Sequence, residues 1–290
     1  MNKKKIIIGT AQFGLDYGIS NVLGKTGKEE VKKILLYGKR NNINHLDTSF
    51  HYGNAETLLG KLDLMNWEVT TKYKTEEILK GKKNILNNLI ELIEKSKKKL
   101  GVKRIYCVLL HNPDLILKKY GNELYESLNK AKSFGLISNF GYSIYNFSNL
   151  KKICKKYKPD IIQCPYNVFD RRLVNKGYLN FLKKEGIRTH VRSVFLQGLL
   201  LMPLNKIPQF HKKWRNLFYR WEQWLNNNEL SPVEACLNFV FQTEEINKFI
   251  LGFNNLIHLK QTLKTKMRKK IKFPKYILSN DEKLINPNLW

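Results

Sequence analysis

Residues 45–56, HLDTSFHYGNAE, gather an unusual number of side chains that can carry or transfer a proton. Asp47 and Tyr52 lie five residues apart in this stretch, after a short apolar run and before a helical pattern. Taken alone, the aspartate could equally cap a helix and the tyrosine could serve packing. Residues 48–51 between them are expected to shape and support a pocket. The stretch therefore needs partners elsewhere in the chain before it predicts chemistry.

Two further titratable residues follow apolar runs, Lys72 after EVTT and His111 after RIYCVLL. A phenol has a pKa near 10 and is a weak acid at neutral pH. An adjacent ammonium favours the phenolate and lowers the pKa of the phenol, and a carboxylate can hold that ammonium in place. The four residues together predict a proton-transfer site in which Tyr52 is the general acid.

Short apolar runs alternate with amphipathic helical patterns along the chain. The runs cover residues 5–9, 43–47, 68–72, 104–110, 138–142, 161–164, 188–193 and 249–252, and the helical patterns include 28–41, 85–100, 123–134, 147–157, 173–185 and 232–241. Alternating strands and helices predict a parallel sheet, and eight such units are the count of a (β/α)8 TIM barrel. We expect an α/β fold with one barrel domain over residues 1–290. The carboxyl ends of its strands would bring the four residues to one mouth.

An open doubly wound sheet is the alternative architecture, and residues 9–14, GTAQFG, weaken it because they do not fit the G-x-G-x-x-G pattern expected after a first strand. Residues 195–230 form a long, aromatic-rich connection that could roof the pocket or form a satellite hydrophobic cluster. His45 and His190 lie inside strand runs and are expected to be buried in the barrel. Ser231, followed by a proline and an acid, predicts a helix start.

Composition favours a folded, cytoplasmic protein: 42% of residues are hydrophobic, 12% are aromatic, and no apolar run reaches the roughly 18 residues of a membrane span. The apolar run within the first residues, MNKKKIIIGTAQFG, is too short for the hydrophobic core of a signal peptide. The four cysteines are far apart and form no C-x-x-C pair, which fits a reducing compartment. No Cys/His spacing predicts a structural zinc site, and we expect no metal.

The net charge of +28 is the unusual global property. A basic chain could bind a polyanion such as nucleic acid or an anionic membrane surface. Lysines are instead spread over most helical patterns, as in Lys32–Lys33, Lys82–Lys83 and Lys183–Lys184, and they occupy predicted solvent faces. A compositional bias is therefore favoured over a specific nucleic-acid partner.

Asp47, Tyr52, Lys72 and His111 give the chain a resemblance to the aldo-keto reductase superfamily, (β/α)8 enzymes that reduce carbonyls with a nicotinamide cofactor. Asp47, Tyr52, Gly53 and Glu56 match the family's first motif, and Lys72 and His111 match its lysine and histidine at the next strand ends. The resemblance implies that hydride passes to a carbonyl carbon while Tyr52 protonates the oxygen. Lys72 would lower the pKa of Tyr52, Asp47 would fix Lys72, and His111 would orient the carbonyl.

The resemblance also implies a cofactor site formed by loops from both ends of the chain. Residues matching it are Gly9, Thr10, Ser143, Gln163, Arg192, Ser193, Gln197, Gly198, Gly252, Asn254 and Asn255. Ser143 and Gln163 would bind the nicotinamide carboxamide, and the loop with Ser193, Gln197 and Gly198 would wrap the pyrophosphate. The loop after Gly252 would receive the adenosine phosphate.

Several positions depart from the family pattern. Ser143 is followed by Ile144 where the family often has Asn, and Arg192 stands where an aromatic ring usually stacks on the nicotinamide. The residues after Gly252 lack the usual cation for the 2′-phosphate of NADPH, and Gln261 and Thr262 replace a common Glu-Asn pair. NADPH is the family default, with Lys248 and Lys260 as substitute cations, and NADH remains open.

The resemblance favours a carbonyl reductase acting on a small aldehyde or ketone. The loops GTAQFGLDYGISN and RSVFLQGLL are similar to those of bacterial family members encoded among surface-polysaccharide and sugar-nucleotide genes, which implies a sugar-derived substrate. The alternative is a barrel that keeps the cofactor site as a non-catalytic redox-sensing or scaffold subunit. The oligomeric state cannot be read from the sequence.

Overall fold

The computed structural model describes residues 1–81, 84–268 and 271–290, so the Lys82–Lys83 pair lies outside it. Eight strands pair in chain order, all parallel, and close into a barrel. They are β1 (Ile6–Gly9), β2 (His45–Asp47), β3 (Glu68–Lys74), β4 (Ile105–His111), β5 (Ile137–Ser143), β6 (Ile161–Pro165), β7 (Arg188–Arg192) and β8 (Lys248–Gly252). The predicted TIM barrel is confirmed, and the open sheet is excluded because β8 pairs with β1.

Helices surround the barrel and fill its loops. The α-helices of the described residues are α1 (Ala11–Gly14), α2 (Lys28–Arg40), α3 (Ala55–Gly60), α4 (Thr75–Ile78), α5 (Ile85–Leu100), α6 (Gly121–Ser133), α7 (Leu150–Lys156), α8 (Arg172–Asn175), α9 (Tyr178–Lys184), α10 (Arg215–Asn227), α11 (Pro232–Phe241), α12 (Leu256–Lys264) and α13 (Glu282–Ile285). Short 3-10 helices cover Lys3–Lys5, Pro113–Leu117, Leu196–Leu201, Leu204–Lys206, Gln209–Trp214, Lys275–Ile277 and Pro287–Leu289. No helix among these residues is long and apolar enough to cross a membrane.

Local sequence explains where several helices begin and end. α5 buries Ile85, Leu89 and Ile93 on one face and ends at Gly101, which has a left-handed φ of 67°. The predicted start of α11 is confirmed by a capping box, in which the Ser231 side chain accepts from the Glu234 amide. The single helix predicted over residues 173–185 is wrong, because Gly177 adopts a φ of 71° and separates α8 from α9.

Residues 195–230 contribute buried aromatic side chains to the hydrophobic core. Trp221 and Trp224 of α10 are buried and stacked with ring centroids 5.5 Å apart, and Trp224 also contacts Phe273 from the C-terminal segment at 4.9 Å. The Trp214 indole donates to the Asp281 carboxylate at 2.9 Å. The aromatic residues of this connection therefore tie the C-terminal segment to the barrel, and only its first residues reach the barrel mouth.

The two ends of the barrel differ in character. At the amino ends of the strands, His45 and His190 are buried as predicted, with ring centroids 5.8 Å apart, and His45 Nε2 lies 2.8 Å from the Thr70 hydroxyl. At the carboxyl ends, strand register aligns Gly9 with Asp47 and His111 with Ser143. The closed barrel therefore brings the sequence-predicted chemistry to one mouth.

Candidate active site

A cavity of about 730 Å³ opens at the carboxyl ends of the strands, and it is lined by Asp47, Tyr52, Lys72 and His111. β2 ends at Asp47, Lys72 lies on β3, and β4 ends at His111. Because adjacent parallel strands present their carboxyl ends at the same rim, residues 64 positions apart lie in one wall. The structure brings together all four residues of the predicted proton-transfer site.

Asp47 and Lys72 form a buried ion pair on the cavity floor. Their side chains are 5% and 1% exposed, and Lys72 Nζ lies 2.5 Å from Asp47 Oδ2. The same ammonium donates to the Thr48 carbonyl at 2.7 Å. Burial lowers the pKa of Lys72, and the Asp47 carboxylate opposes that shift. The aspartate therefore holds the lysine in place, as expected.

Gln163 completes the environment of Asp47. Its side-chain amide donates to Asp47 Oδ1 at 2.7 Å, so both carboxylate oxygens are bound. The Ser143 hydroxyl lies 3.4 Å from Gln163 Oε1. A polar chain thus runs from Ser143 through Gln163 and Asp47 to Lys72 across four strands. The resemblance implied that Gln163 binds only cofactor, and the sequence contained no sign of its contact with Asp47.

A close backbone approach positions Tyr52. A Cβ on Gly14 would overlap the Tyr52 carbonyl oxygen and lie 2.7 Å from the Ala55 amide nitrogen. Gly53 has a φ of 52°, and a Cβ there would overlap the Gly14 carbonyl. The two glycines allow α1 to pack directly on the turn that carries Tyr52. Lys72 Nζ then lies 5.1 Å from the centroid of the Tyr52 ring.

Electrostatics at Tyr52 differ from the expectation. Burial raises the pKa of Tyr52 well above its usual range, and the Asp47 carboxylate raises it further. Arg192 is the cation that opposes this shift. The expected lowering by Lys72 is not found, since the charge of Lys72 is balanced by Asp47 in the ion pair. Tyr52 is therefore protonated at neutral pH, the form that a general acid requires.

His111 is uncharged in this environment. Burial lowers the pKa of His111 to about 3, and the positive charges of Lys72 and Arg192 lower it further. Its backbone carbonyl accepts from the Thr75 hydroxyl at 2.5 Å, which fixes the end of β4. A neutral imidazole can donate one hydrogen bond into the cavity without changing its charge between pH 5 and 9.

Arg192 has an aromatic partner of its own. Its guanidinium carbon lies 3.7 Å from the centroid of the Tyr145 ring, and its Nη2 donates to the Ile144 carbonyl at 2.9 Å. Stacked guanidinium–aromatic pairs form a flat, rigid surface. The position where the family places an aromatic ring therefore carries a composite of Arg192 and Tyr145. Tyr145 lines the cavity and was not identified from the sequence.

The predicted cofactor residues line the same cavity with one exception. Asn255 lies outside the lining, because its side chain caps α12 by accepting from the His258 amide at 2.9 Å. Thr10 lies at the floor, where its hydroxyl donates to the Asp47 carbonyl at 3.1 Å. Of the eleven residues predicted to bind cofactor, ten therefore line the cavity, and their role in binding stays a prediction.

The loop after β7 has the form of an anion cradle. Ser193, Leu196 and Gln197 have φ values of 58°, 47° and 55°, and Gly198 has 90°. Left-handed residues beside right-handed ones can form a concavity that suits an anion such as a pyrophosphate. The amides of Leu196 and Gly198 donate to the Ser193 and Phe195 carbonyls within this loop. A Cβ on Gly198 would overlap the Ser20 side chain, so this loop and the loop after β1 need a glycine to fit together.

The two lysines proposed from the sequence as substitute cations lie elsewhere. Lys248 Nζ donates to the Lys4 carbonyl at the amino end of the barrel, 2.9 Å away. Lys260 Nζ lies 5.6 Å from the Tyr37 ring and does not line the cavity. Neither is placed to bind a phosphate in the cavity. The end of the cavity next to β8 is lined instead by Phe253, Asn254, His258, Gln261 and Thr262.

Further polar residues at the mouth were missed from the sequence. The cavity is also lined by Tyr17, Lys74, Asn112, Asp114, Asn146 and Asn288. Lys74 aligns with His111 in the register of β3 and β4, so counting two residues beyond Lys72 would have identified it. Asn288 comes from the C-terminal segment and no local signal marks it.

Comparisons with known proteins agree with this geometry. A model of the aldo/keto reductase family matches residues 5–276. The aldo-keto reductase AKR11C1 from Bacillus halodurans, in its holo form, is 17% identical with a TM-score of 0.71, covering 92% of this chain and 88% of that one. The putative aldo-keto reductase PA4992 from Pseudomonas aeruginosa is 20% identical with a TM-score of 0.66, covering 91% and 89%. At such identities the solved structures show the shared fold alone. The comparison with curated proteins gave no significant match.

The family match covers nearly the whole chain, including all eight strands and every residue that lines the cavity except Asn288. The chain therefore belongs to the aldo/keto reductase family and is an NAD(P)H-dependent oxidoreductase.

Proposed function

We propose that this protein reduces an aldehyde or ketone to an alcohol by hydride transfer, with Tyr52 as the proton donor. The observation that carries the proposal is the buried Asp47–Lys72 pair beneath Tyr52 on the cavity floor, with Nζ 2.5 Å from Oδ2. A binding-only barrel has no need of a buried ion pair beside an uncharged histidine and a protonated tyrosine. Such pairs are costly to bury, which argues for a functional reason.

The cavity has features that fit a nicotinamide dinucleotide, whose reduced form supplies the hydride when bound. The left-handed loop at residues 193–198 suits the pyrophosphate, and the polar pair Ser143–Gln163 suits a carboxamide at the catalytic end. The stacked Arg192 and Tyr145 offer a flat surface near the same end. These residues would hold the nicotinamide at the end of the cavity that contains Tyr52.

Tyr52 and Lys72 have different roles in proton transfer to the substrate oxygen. Burial and Asp47 keep Tyr52 protonated until negative charge develops on the substrate oxygen. The phenolate left after proton transfer is stabilised by the positive charge of Arg192, and the ammonium of Lys72 lies 5.1 Å from the centroid of the Tyr52 ring. Asp47 and Gln163 keep that ammonium fixed, so little reorganisation is needed during the step.

His111 orients the substrate. Because burial lowers the pKa of His111 to about 3, its neutral ring donates a hydrogen bond to the carbonyl oxygen without taking up a proton. The donor would polarise the carbonyl and orient its oxygen toward the Tyr52 hydroxyl.

We propose a polyhydroxylated, sugar-derived carbonyl as the substrate. The mouth beside His111 is lined by Asn112, Asp114, Asn146 and Asn288, whose amides and carboxylate pair well with hydroxyl groups. An apolar aldehyde would make no hydrogen bonds with these groups, so the mouth should favour a substrate with hydroxyl groups. Aldoses and keto sugars should therefore show a higher kcat/KM than alkyl aldehydes of equal size.

Tyr52→Phe tests the proposed function. The substitution removes the proton donor and keeps the ring, so carbonyl reduction should fall by at least about 100-fold while dinucleotide binding stays within about twofold. Cofactor oxidation is followed by absorbance against a carbonyl panel, and binding by calorimetry. Unchanged turnover in the variant removes Tyr52 as the acid. Tight dinucleotide binding by the wild type with no turnover on any carbonyl would favour the redox-sensing or scaffold alternative.

We further propose that residues 1–290 act as one domain in the cytoplasm. One buried cluster joins residues from Ile6 to Ile285, which supports a single domain. The four cysteines are buried and unpaired, which fits a reducing compartment. A calorimetric scan with two separate unfolding transitions would contradict the single domain, and fractionation of the source cells tests the location.

A further inference from the structure

The end of the cavity next to β8 has no permanent cation. Among the described residues, the lysines and arginines that line the cavity are Lys72, Lys74 and Arg192. All three belong to the catalytic end, where Lys72 pairs with Asp47, Lys74 aligns with His111, and Arg192 stacks on Tyr145. His258 lines the β8 end, but burial lowers the pKa of His258, so its imidazole is uncharged at neutral pH.

This end is where the adenosine of a bound dinucleotide would lie. The nicotinamide must reach the carbonyl beside Tyr52, and the cradle at residues 193–198 suits the pyrophosphate. The lining that remains is Asn254, His258, Gln261 and Thr262, at the end of β8 and on α12. Neutral amide and hydroxyl groups pair with ribose hydroxyls, whereas a 2′-phosphate calls for arginine or lysine.

The N-terminus of α12 is already bound by the chain's own side chains. Glu30 Oε1 accepts from the Leu256 amide at 2.7 Å, and Asn255 Oδ1 accepts from the His258 amide at 2.9 Å. Free amides at a helix N-terminus attract a phosphate. Here two of them are satisfied, one by a carboxylate whose charge would repel a phosphate dianion.

The position of Glu30 is fixed by neighbouring contacts. Thr26 donates its hydroxyl to the Asn254 carbonyl at 3.1 Å and its amide to the Gln12 carbonyl at 2.8 Å, just before α2 begins. Glu30 lies in the first turn of α2 and so meets α12 directly. Lys33 lies 3.5 Å from the same carboxylate and does not line the cavity, so that cation is already paired.

We propose that Glu30 and the uncharged lining of α12 make this enzyme selective for NADH over NADPH. The inference rests on the proposed function, since it assumes that the cavity binds a nicotinamide dinucleotide. A ribose 2′-hydroxyl fits the neutral groups, whereas the additional phosphate of NADPH finds no lysine or arginine among the described residues that line this end, and the carboxylate of Glu30 occupies the N-terminus of α12 behind the lining.

Calorimetric titration of the full chain with NADH and with NADPH tests the selectivity. The net charge of +28 attracts the more highly charged NADPH at low salt, so the titrations are made at about 0.15 M salt and again at about 0.5 M, where this attraction is screened. We expect the Kd for NADPH to be at least about tenfold higher than for NADH. Equal or tighter NADPH binding at both salts overturns the inference. Binding of neither dinucleotide overturns the proposed function instead.

Glu30→Gln tests the role assigned to the carboxylate. The amide oxygen can still accept from the Leu256 amide, so the cap remains and only the charge is removed. NADPH affinity should rise about threefold or more while NADH affinity is unchanged. Glu29→Gln is the matched control, because Glu29 is the adjacent acid and is exposed, whereas Glu30 binds the Leu256 amide at the N-terminus of α12. Equal gains in both variants would show a long-range charge effect and overturn the assignment to Glu30.

Discussion

Asp47 is the residue at which distant parts of the chain meet. Its carboxylate is bound by Lys72 and Gln163, and its carbonyl accepts from the Thr10 hydroxyl. A buried carboxylate is tolerated only when each oxygen has a partner, because an unpaired buried charge is strongly destabilising. Gln163 therefore stabilises the fold through a residue of the catalytic site.

Gln163→Leu should separate this structural contribution from general packing. The leucine has a similar volume and no donor, so Asp47 Oδ1 loses its 2.7 Å hydrogen bond inside the barrel. We expect the free energy of unfolding to fall by about 1–3 kcal/mol, with a marked loss of turnover because Lys72 is no longer held as firmly. Denaturant unfolding and steady-state kinetics measure the two effects.

Ser143→Ala is the control for stability. Its hydroxyl makes only a 3.4 Å contact with Gln163 Oε1, so its removal should change the free energy of unfolding by less than Gln163→Leu does. Equal decreases in the free energy of unfolding of the two variants would mean that the Gln163–Asp47 hydrogen bond stabilises the fold no more than the Ser143 contact does.

At the scale of single residues, the sequence predicted which side chains lie in the site better than it predicted their contacts and pKa values. The four residues of the proton-transfer site were found because each stands at or near a strand end, a place that the apolar pattern reveals. The Gln163–Asp47 contact joins residues 116 positions apart and depends on the register of a closed barrel. The raised pKa of Tyr52 depends on burial by loops, which no local pattern encodes.

Among the elements, α1 and the turn after β2 act as one unit through Gly14 and Gly53. The backbone of α1 contacts the backbone of the Tyr52 turn so closely that a methyl group has no room. The position of Tyr52, the proposed general acid, therefore depends on a glycine 38 residues before it.

Gly14→Ala should displace the turn that carries Tyr52. Because a Cβ would overlap the Tyr52 carbonyl, we expect a loss of about 1–3 kcal/mol in stability and at least about a tenfold fall in kcat. Gly27→Ala is the control, since nothing lies within 4 Å of a Cβ at Gly27 and its φ is −67°. Thermal unfolding and steady-state kinetics of both variants test this prediction. A fully active Gly14→Ala enzyme would contradict the close contact between α1 and the turn that carries Tyr52.

The strands carry buried histidines at the opposite end of the barrel, and these make stability depend on pH. Burial lowers the pKa of His190 to about 3 and that of His45 well below its usual range. The unfolded chain binds a proton at each histidine below about pH 6.5, whereas the folded barrel does not. Protonation therefore favours unfolding, so this stability is fully present above about pH 6.5 and is lost as the pH falls toward 3.

His190→Asn should reduce the dependence of stability on pH. One titrating group is removed, so the slope of the free energy of unfolding between about pH 6 and 4 should fall by up to about 1.4 kcal/mol per pH unit. Urea unfolding at several pH values measures the slope for wild type and variant. An unchanged slope would show that His190 is not kept neutral by the fold.

The elements themselves were largely predictable. All eight strands lie where the apolar runs predicted them, and α5 and α11 have the bounds that periodicity indicated. The division between α8 and α9 at Gly177 was missed, because a glycine within a helical pattern is compatible with either outcome. The fold of residues 195–230 was not predictable, since its aromatic residues pack on a C-terminal segment distant in sequence.

For the whole molecule, lysine runs that contribute to the charge of +28 lie on several of the helices around the barrel. Lys32 and Lys33 lie on α2, Lys97 to Lys99 on α5, and Lys183 and Lys184 on α9. These helices follow different strands of a closed barrel, so their outer faces lie on different sides of it. A specific polyanion site would need these charges on one surface with groups that read shape or bases.

Binding to double-stranded DNA or heparin should therefore be electrostatic and sensitive to salt. We expect measurable binding at about 50 mM salt and a loss of at least about 100-fold in affinity by about 200 mM, because released counterions drive such binding. NADH titrated in the same buffers is the comparison, since its binding rests on direct contacts and should change less. Fluorescence anisotropy of labelled DNA and calorimetry of NADH give the two salt slopes. DNA affinity that persists above about 200 mM salt would contradict the distributed-charge interpretation and indicate a built nucleic-acid site.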